Sequence, residues 1–201
     1  MLEKGLLLTI RDFIFYPGRS AYTYLFVNRR KYVSPLIFLL VTSLIYSFIN
    51  KYYHVEEKVV LDLEINSQDD RSVKFTNKSL KWIQDNYGYA NLLMGIMIAF
   101  FIWFLFRKKE LNFFEIFAIL CYFMGVGMLF YTIAALTKVF LRLDLYTTIT
   151  IIMLAYVTIS IASLYKPIAK INYFKVLIAY ILGFVFFYII FMIVYFSIHA
   201  V

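Results

Sequence analysis

Apolar runs of about 20 residues recur along the chain at 33–50, 87–106, 113–136, 147–165 and 176–197, with short charged segments between them. Each is long enough to cross a bilayer as a helix. A soluble domain of this size is nearer half apolar, whereas this chain is 63% hydrophobic with a mean hydropathy of +0.79. A soluble fold would leave such an excess on its surface as apolar patches. The pattern predicts an all-α polytopic membrane protein with five transmembrane helices.

The charges between the runs set an orientation. On the N-terminal side of the first run, and in the segments that five crossings return to that side, stand twelve basic residues: Lys4, Arg11, Arg19, Arg29, Arg30, Lys31, Arg107, Lys108, Lys109, Lys166, Lys170 and Lys175. Only Glu3, Asp12 and Glu110 oppose them. The other side carries eight basic and eight acidic residues. Cationic loops stay in the cytoplasm, so the N-terminus is expected inside, and the 51–86 segment and the C-terminus outside. The net charge of +8 therefore reads as topology. It does not point to nucleic acid, because no basic face with interleaved aromatics stands clear of the apolar runs.

Residues 1–32 do not form a span. Leu6, Ile10, Phe13 and Ile14 recur at helical spacing among Glu3, Lys4, Arg11 and Asp12, which predicts a short amphipathic helix in the interface. Leu6–Ile10 is too short an apolar core for a signal peptide. Pro17-Gly18 stops the helix. A second helix is expected from Ser20 to Arg30 with Ser20 as its cap, giving an interfacial helical hairpin. Arg29-Arg30-Lys31 then precede the first span, whose early Pro35 suits a first helical turn.

The segment 51–86 is expected to form a small external cap. In 58–65, Leu61, Leu63 and Ile65 alternate with Asp62 and Glu64, a half-buried strand pattern. A turn at 66–71 and a second strand at 72–75 would complete a β-hairpin. A helix from Ser79 to Asn86 follows. A lone hairpin is marginal, so this cap needs the membrane domain or a partner. The four further spans occupy 87–201.

The N-terminal motif carries a family resemblance. Phe-Tyr-Pro-Gly-Arg-Ser at 15–20, a tyrosine-bearing helix, then Arg29, Tyr32 and Pro35 resemble the bacterial multi-pass membrane family called domain of unknown function 3667. The likeness is best over residues 10–50. Glu115 matches a glutamate usual early in a later span of that family. Val27 and Asn28 stand where the family usually has Gly-Lys, Ile116 stands where a His is expected, and the family's N-terminal zinc-ribbon cysteines are missing. The resemblance implies a bacterial inner-membrane location and no reaction.

Two groups of residues are candidate sites. Arg19, Arg29, Arg30 and Lys31 would bind anionic lipid headgroups or a phosphate-bearing ligand, or they set topology alone. Glu115 is the one acid inside an expected span. It would relay a proton or bind a cation, or else pair with a nearby cation and cap the start of its helix. Gly125, Gly127, Ala134 and Ala135 thin the third span for helix packing, and Cys121 reads as a small buried residue. A single cysteine and two separated histidines give no metal-ligand spacing, and no cofactor is expected. Nor does the sequence hold a Gly-x-Ser-x-Gly, a His-Glu-x-x-His or a phosphate-cradling glycine loop. The expected function is non-enzymatic: an interaction or accessory protein that meets the lipid bilayer and a protein partner or a second copy of itself. The alternatives are a small oligomeric transporter or channel, and a membrane-perturbing defence effector.

Overall fold

The computed structural model describes residues 2–53, 55, 71–107, 111–165 and 170–199. In chain order they form α1 (Leu2–Phe15), α2 (Pro17–Tyr22), a π-helical turn (Thr23–Val27), a 3-10 turn (Arg29–Lys31) and α3 (Pro35–Tyr53). Then come α4 (Arg71–Asp85), α5 (Tyr87–Leu105), α6 (Phe113–Leu141), α7 (Tyr146–Ala162) and α8 (Lys170–His199). No strand occurs among the described residues.

Four helical stretches are long and apolar enough to cross a membrane: Arg29–Tyr53, Tyr87–Leu105, Phe113–Leu141 and Lys170–Ser197. The fourth expected span, α7, is apolar but has only 17 residues. At 1.5 Å per residue it reaches roughly 25 Å, short of a hydrocarbon layer of about 30 Å.

The expectation of a strand at 72–75 is corrected. Residues 72–75, read as the second strand of a hairpin, lie inside α4. Alternation over four residues is a weak signal. Over the longer run, the apolar positions 73, 75, 80, 82 and 83 fall at helical intervals of three, seven and eight residues. The expected first strand at 58–65 lies outside the described residues. The helix itself leans on α8, where Trp82 sits 5.2 Å from the Phe191 ring and Ser79 is buried beside Met192.

Helix α6 is the hub of the bundle. Two-thirds of its most apolar window is buried, against about a fifth for α8, most of whose surface is exposed. Helix α3 runs parallel to α6 and begins beside its tenth residue, because the Tyr122 hydroxyl donates to the Val33 carbonyl at 2.6 Å. Further along, Phe38 packs on Gly125, where a Cβ would come within 2.6 Å of the ring. The first nine residues of α6, roughly 14 Å of helix, therefore project beyond the start of α3.

The N-terminal module packs around that projection. Phe13 is fully buried, stacked on Tyr122 at 4.2 Å and edge-on to Phe123. Its carbonyl accepts a hydrogen bond from the Tyr156 hydroxyl of α7 at 2.6 Å. Ala21 and Leu25 join the same core. The apolar face of these helices thus meets the bundle, while Phe15, Tyr22 and Phe26 stay exposed on the other side. The second helix starts earlier than expected. Pro17 occupies its first turn, where a missing N–H costs nothing. Ser20 is not its cap: it lies inside the helix, and its hydroxyl donates back to the Asp12 carbonyl at 2.8 Å.

Candidate functional site

The break at Pro17 folds α2 back beside the end of α1, and the two turns after it bring residue 31 to the same place. The result is a polar cleft of about 370 Å³. Its charged lining comes from Arg11 and Asp12 of α1, Arg19 of α2 and Lys31 of the 3-10 turn. Tyr16, Ser20, Thr23 and Tyr32 complete it.

Asp12 organises the cleft. Its side chain is only 9% exposed, and both oxygens are occupied. Oδ1 accepts from Arg11 Nε at 3.0 Å and Nη2 at 2.8 Å. Oδ2 accepts from Lys31 Nζ at 2.9 Å and from the Tyr32 hydroxyl at 3.2 Å. Burial pushes the Asp12 carboxyl up, but the hydrogen bonds from Lys31, Arg11 and Tyr32 outweigh it and hold the group below its ordinary value. The acid therefore stays ionised and fixes two cations in place. Lys31 also lies 4.9 Å from the centroid of the Tyr32 ring.

Arg19 differs from both. It forms no ion pair among the described residues, so three cations face one carboxylate whose acceptor positions are already used. That is an arrangement for an anion: Arg19 contributes its free guanidinium, and Arg11 and Lys31 contribute N–H groups not directed at Asp12.

The other sequence candidates lie elsewhere. Asn28, which replaces a residue usual in the resembling family, ends the π-helical turn, and its Oδ1 accepts the Arg30 N–H at 3.0 Å. That cap starts the 3-10 turn and separates its cations. Lys31 goes to Asp12, while Arg29 goes to Glu115 at 3.2 Å. Arg30 is not among the residues lining the cleft. Glu115 stands in the first turn of α6, and its Oε2 accepts the Asn112 N–H at 3.0 Å while Oε1 takes Arg29. Both oxygens thus have structural partners. Cys121 is buried, and no group of three or more potential metal ligands forms among the described residues.

The sequence reading missed Arg11, Asp12 and Tyr32 as site residues. The available signal was an adjacent acid and base, Arg11-Asp12, set between the mostly apolar stretches Leu6–Ile10 and Phe13–Phe15 of the same helix.

Residues 3–47 match the family model described as Protein of unknown function (DUF3667). The resemblance expected from the N-terminal motif is borne out over that stretch. Every residue lining the cleft falls inside the match, as does most of α3. No curated protein and no solved structure matches the chain.

Proposed function

We propose that this chain is a non-enzymatic protein of the bacterial inner membrane whose N-terminal module holds the headgroup of an anionic phospholipid. It crosses five times, with the N-terminus in the cytoplasm and the C-terminus outside. Helix α7 crosses with local thinning of the bilayer, which a short apolar helix tolerates at modest cost. The exposed Ile151, Ile152 and Ile159 of α7 suit that placement.

The observation that carries the proposal is the cleft of Arg11, Arg19 and Lys31 around a single, fully engaged Asp12. A phosphodiester bears one negative charge and several acceptor oxygens, which matches one free guanidinium flanked by two partly engaged cations. Exposed Phe15, Tyr16, Tyr22 and Phe26 surround the same module and suit the headgroup level of a membrane. On this reading the protein is an accessory element whose basic face docks on the anionic cytoplasmic leaflet.

The test is binding of short-chain phosphatidylglycerol, phosphatidylcholine and inorganic phosphate to the detergent-purified protein. The expected result is binding of phosphatidylglycerol, with phosphatidylcholine far weaker. Equal binding of the two lipids would refute the headgroup reading. Binding of inorganic phosphate alone would assign the cleft to a soluble ligand.

A further inference from the structure

Helices α5, α6, α7 and α8 enclose a second space. On one side α8 presses closely on α5: a Cβ at Gly183 would lie 2.5 Å from the Ile98 Cα. Between α6, α7 and α8 a cavity of about 270 Å³ remains. Met94, Met124, Met128 and Met153 line it, four of the seven methionines in the chain. A Cβ at Gly127 would meet the Met153 methyl at 3.2 Å, so this glycine keeps part of the space open. Phe123 and Val157 also line the cavity, at its end nearer the N-terminal module.

No charged residue lines the space. Its polar side chains are Asn91, Tyr131, Thr150 and Tyr180, and the first three bond to each other or to neighbouring helices. Asn91 donates to Ser43 Oγ at 3.1 Å, and the Tyr131 and Thr150 hydroxyls bond at 2.9 Å. A cavity with so few polar groups among so many apolar ones suits an apolar guest better than water. It reaches the surface between α7 and α8, where Ile181 and Phe184 are 47% and 50% exposed. At that depth in a membrane the surroundings are hydrocarbon.

We infer that the cavity holds one acyl chain of a bilayer phospholipid, which enters sideways between α7 and α8. Asn91, Tyr131 and Thr150 sit toward the end of the cavity near the start of α7, so the headgroup lies at that leaflet and the chain runs inward past the methionines. Unbranched, polarizable methionine side chains fit chains of varied shape, which explains why they concentrate here and not on the outward faces. This inference does not rest on the cationic cleft, which lies beyond Phe123 on the other side of the Phe13 stack.

The test uses the full chain reconstituted in nanodiscs with a trace of phosphatidylcholine carrying a diazirine in mid-chain. After irradiation, adducts are mapped by peptide mass spectrometry. They are expected to concentrate on Met124, Met128, Met153 and Leu154, although each of these methionines is under a tenth exposed. Leu154→Trp fills the space and should lower labelling of those methionines about tenfold, as a binding penalty of about 1.4 kcal/mol gives. Ile152→Trp, on the exposed face of the same helix, should leave it unchanged. Adducts spread over exposed Ile152, Ile159 and Ile189 with none on the buried methionines would overturn the inference. So would full methionine labelling in a folded Leu154→Trp protein. If that variant does not fold, the adduct map of the parent protein decides alone. The probe is zwitterionic, so failure here is separable from failure of anionic headgroup binding.

Discussion

Asp12→Asn tests how the N-terminal module is held. The carboxylate accepts two hydrogen bonds from Arg11, one from Lys31 and one from Tyr32. An amide of the same size keeps one oxygen for Arg11 but turns an NH2 group toward Lys31, so the lysine loses its carboxylate acceptor and keeps only the Tyr32 hydroxyl. A charge-assisted hydrogen bond contributes about 1.5–3 kcal/mol. The Lys31 side chain is 39% exposed, which screens the charge part of that figure. The expected loss is about 2 kcal/mol, or a fall of roughly 4–8 °C in melting temperature for a chain of this size. Thermal unfolding in detergent can be followed by the fluorescence of Trp82 and Trp103. The pH dependence has a definite sign. The folded-state pKa of Asp12 lies below its ordinary 3.8, so its stabilisation is complete above about pH 4 and is lost as the pH falls through the depressed value. The gap between parent and variant should therefore be flat from about pH 7 to pH 5 and close in stronger acid. Equal melting temperatures at neutral pH, or a gap that widens on acidification, would refute the reasoning.

Other substitutions probe separate contacts. Gly183→Ala puts a Cβ against the Ile98 backbone, which cannot rotate aside, and should cost about 1–3 kcal/mol in the same melting assay. Tyr122→Phe leaves the Val33 carbonyl without its 2.6 Å donor inside the core, a loss of about 1–3 kcal/mol. Glu115→Gln keeps an acceptor for the Asn112 N–H and gives up only the pairing with a largely exposed Arg29, so it should cost under about 0.5 kcal/mol. Glu115→Ala removes both partners and should cost about 1 kcal/mol. If Glu115→Gln were the more damaging of the two, a role for the charge beyond these contacts would be indicated.

Hydrophobic periodicity located the long helices because each buries or exposes a continuous apolar surface. The expected 87–106 and 147–165 differ from Tyr87–Leu105 and Tyr146–Ala162 by three residues or fewer at either end. The real α6 and α8 run several residues further, through Lys138 and from Lys170. Helices continue past the apolar limit wherever side chains can reach water, and a hydropathy window does not record that. The pairing of Asp12 with Lys31 spans 19 residues and depends on the turn at Pro17 and the cap at Asn28. Local patterns predict those two breaks but not the angle they produce. Arg29 and Lys31 look equivalent in sequence, yet the 3-10 turn sends one to Glu115 and the other to Asp12. The burial of Phe13 was legible only as an apolar helix face, since nothing local identifies Tyr122 as the ring it meets.

On the proposed reading, the cleft holds an anionic headgroup through the guanidinium of Arg19. Arg19→Gln measures it most directly, because this residue forms no ion pair among those described and its loss should leave the melting temperature unchanged. Binding of short-chain phosphatidylglycerol to the purified variant should weaken about tenfold, the effect of one charge-assisted hydrogen bond. Affinity equal to that of the parent protein would contradict the account.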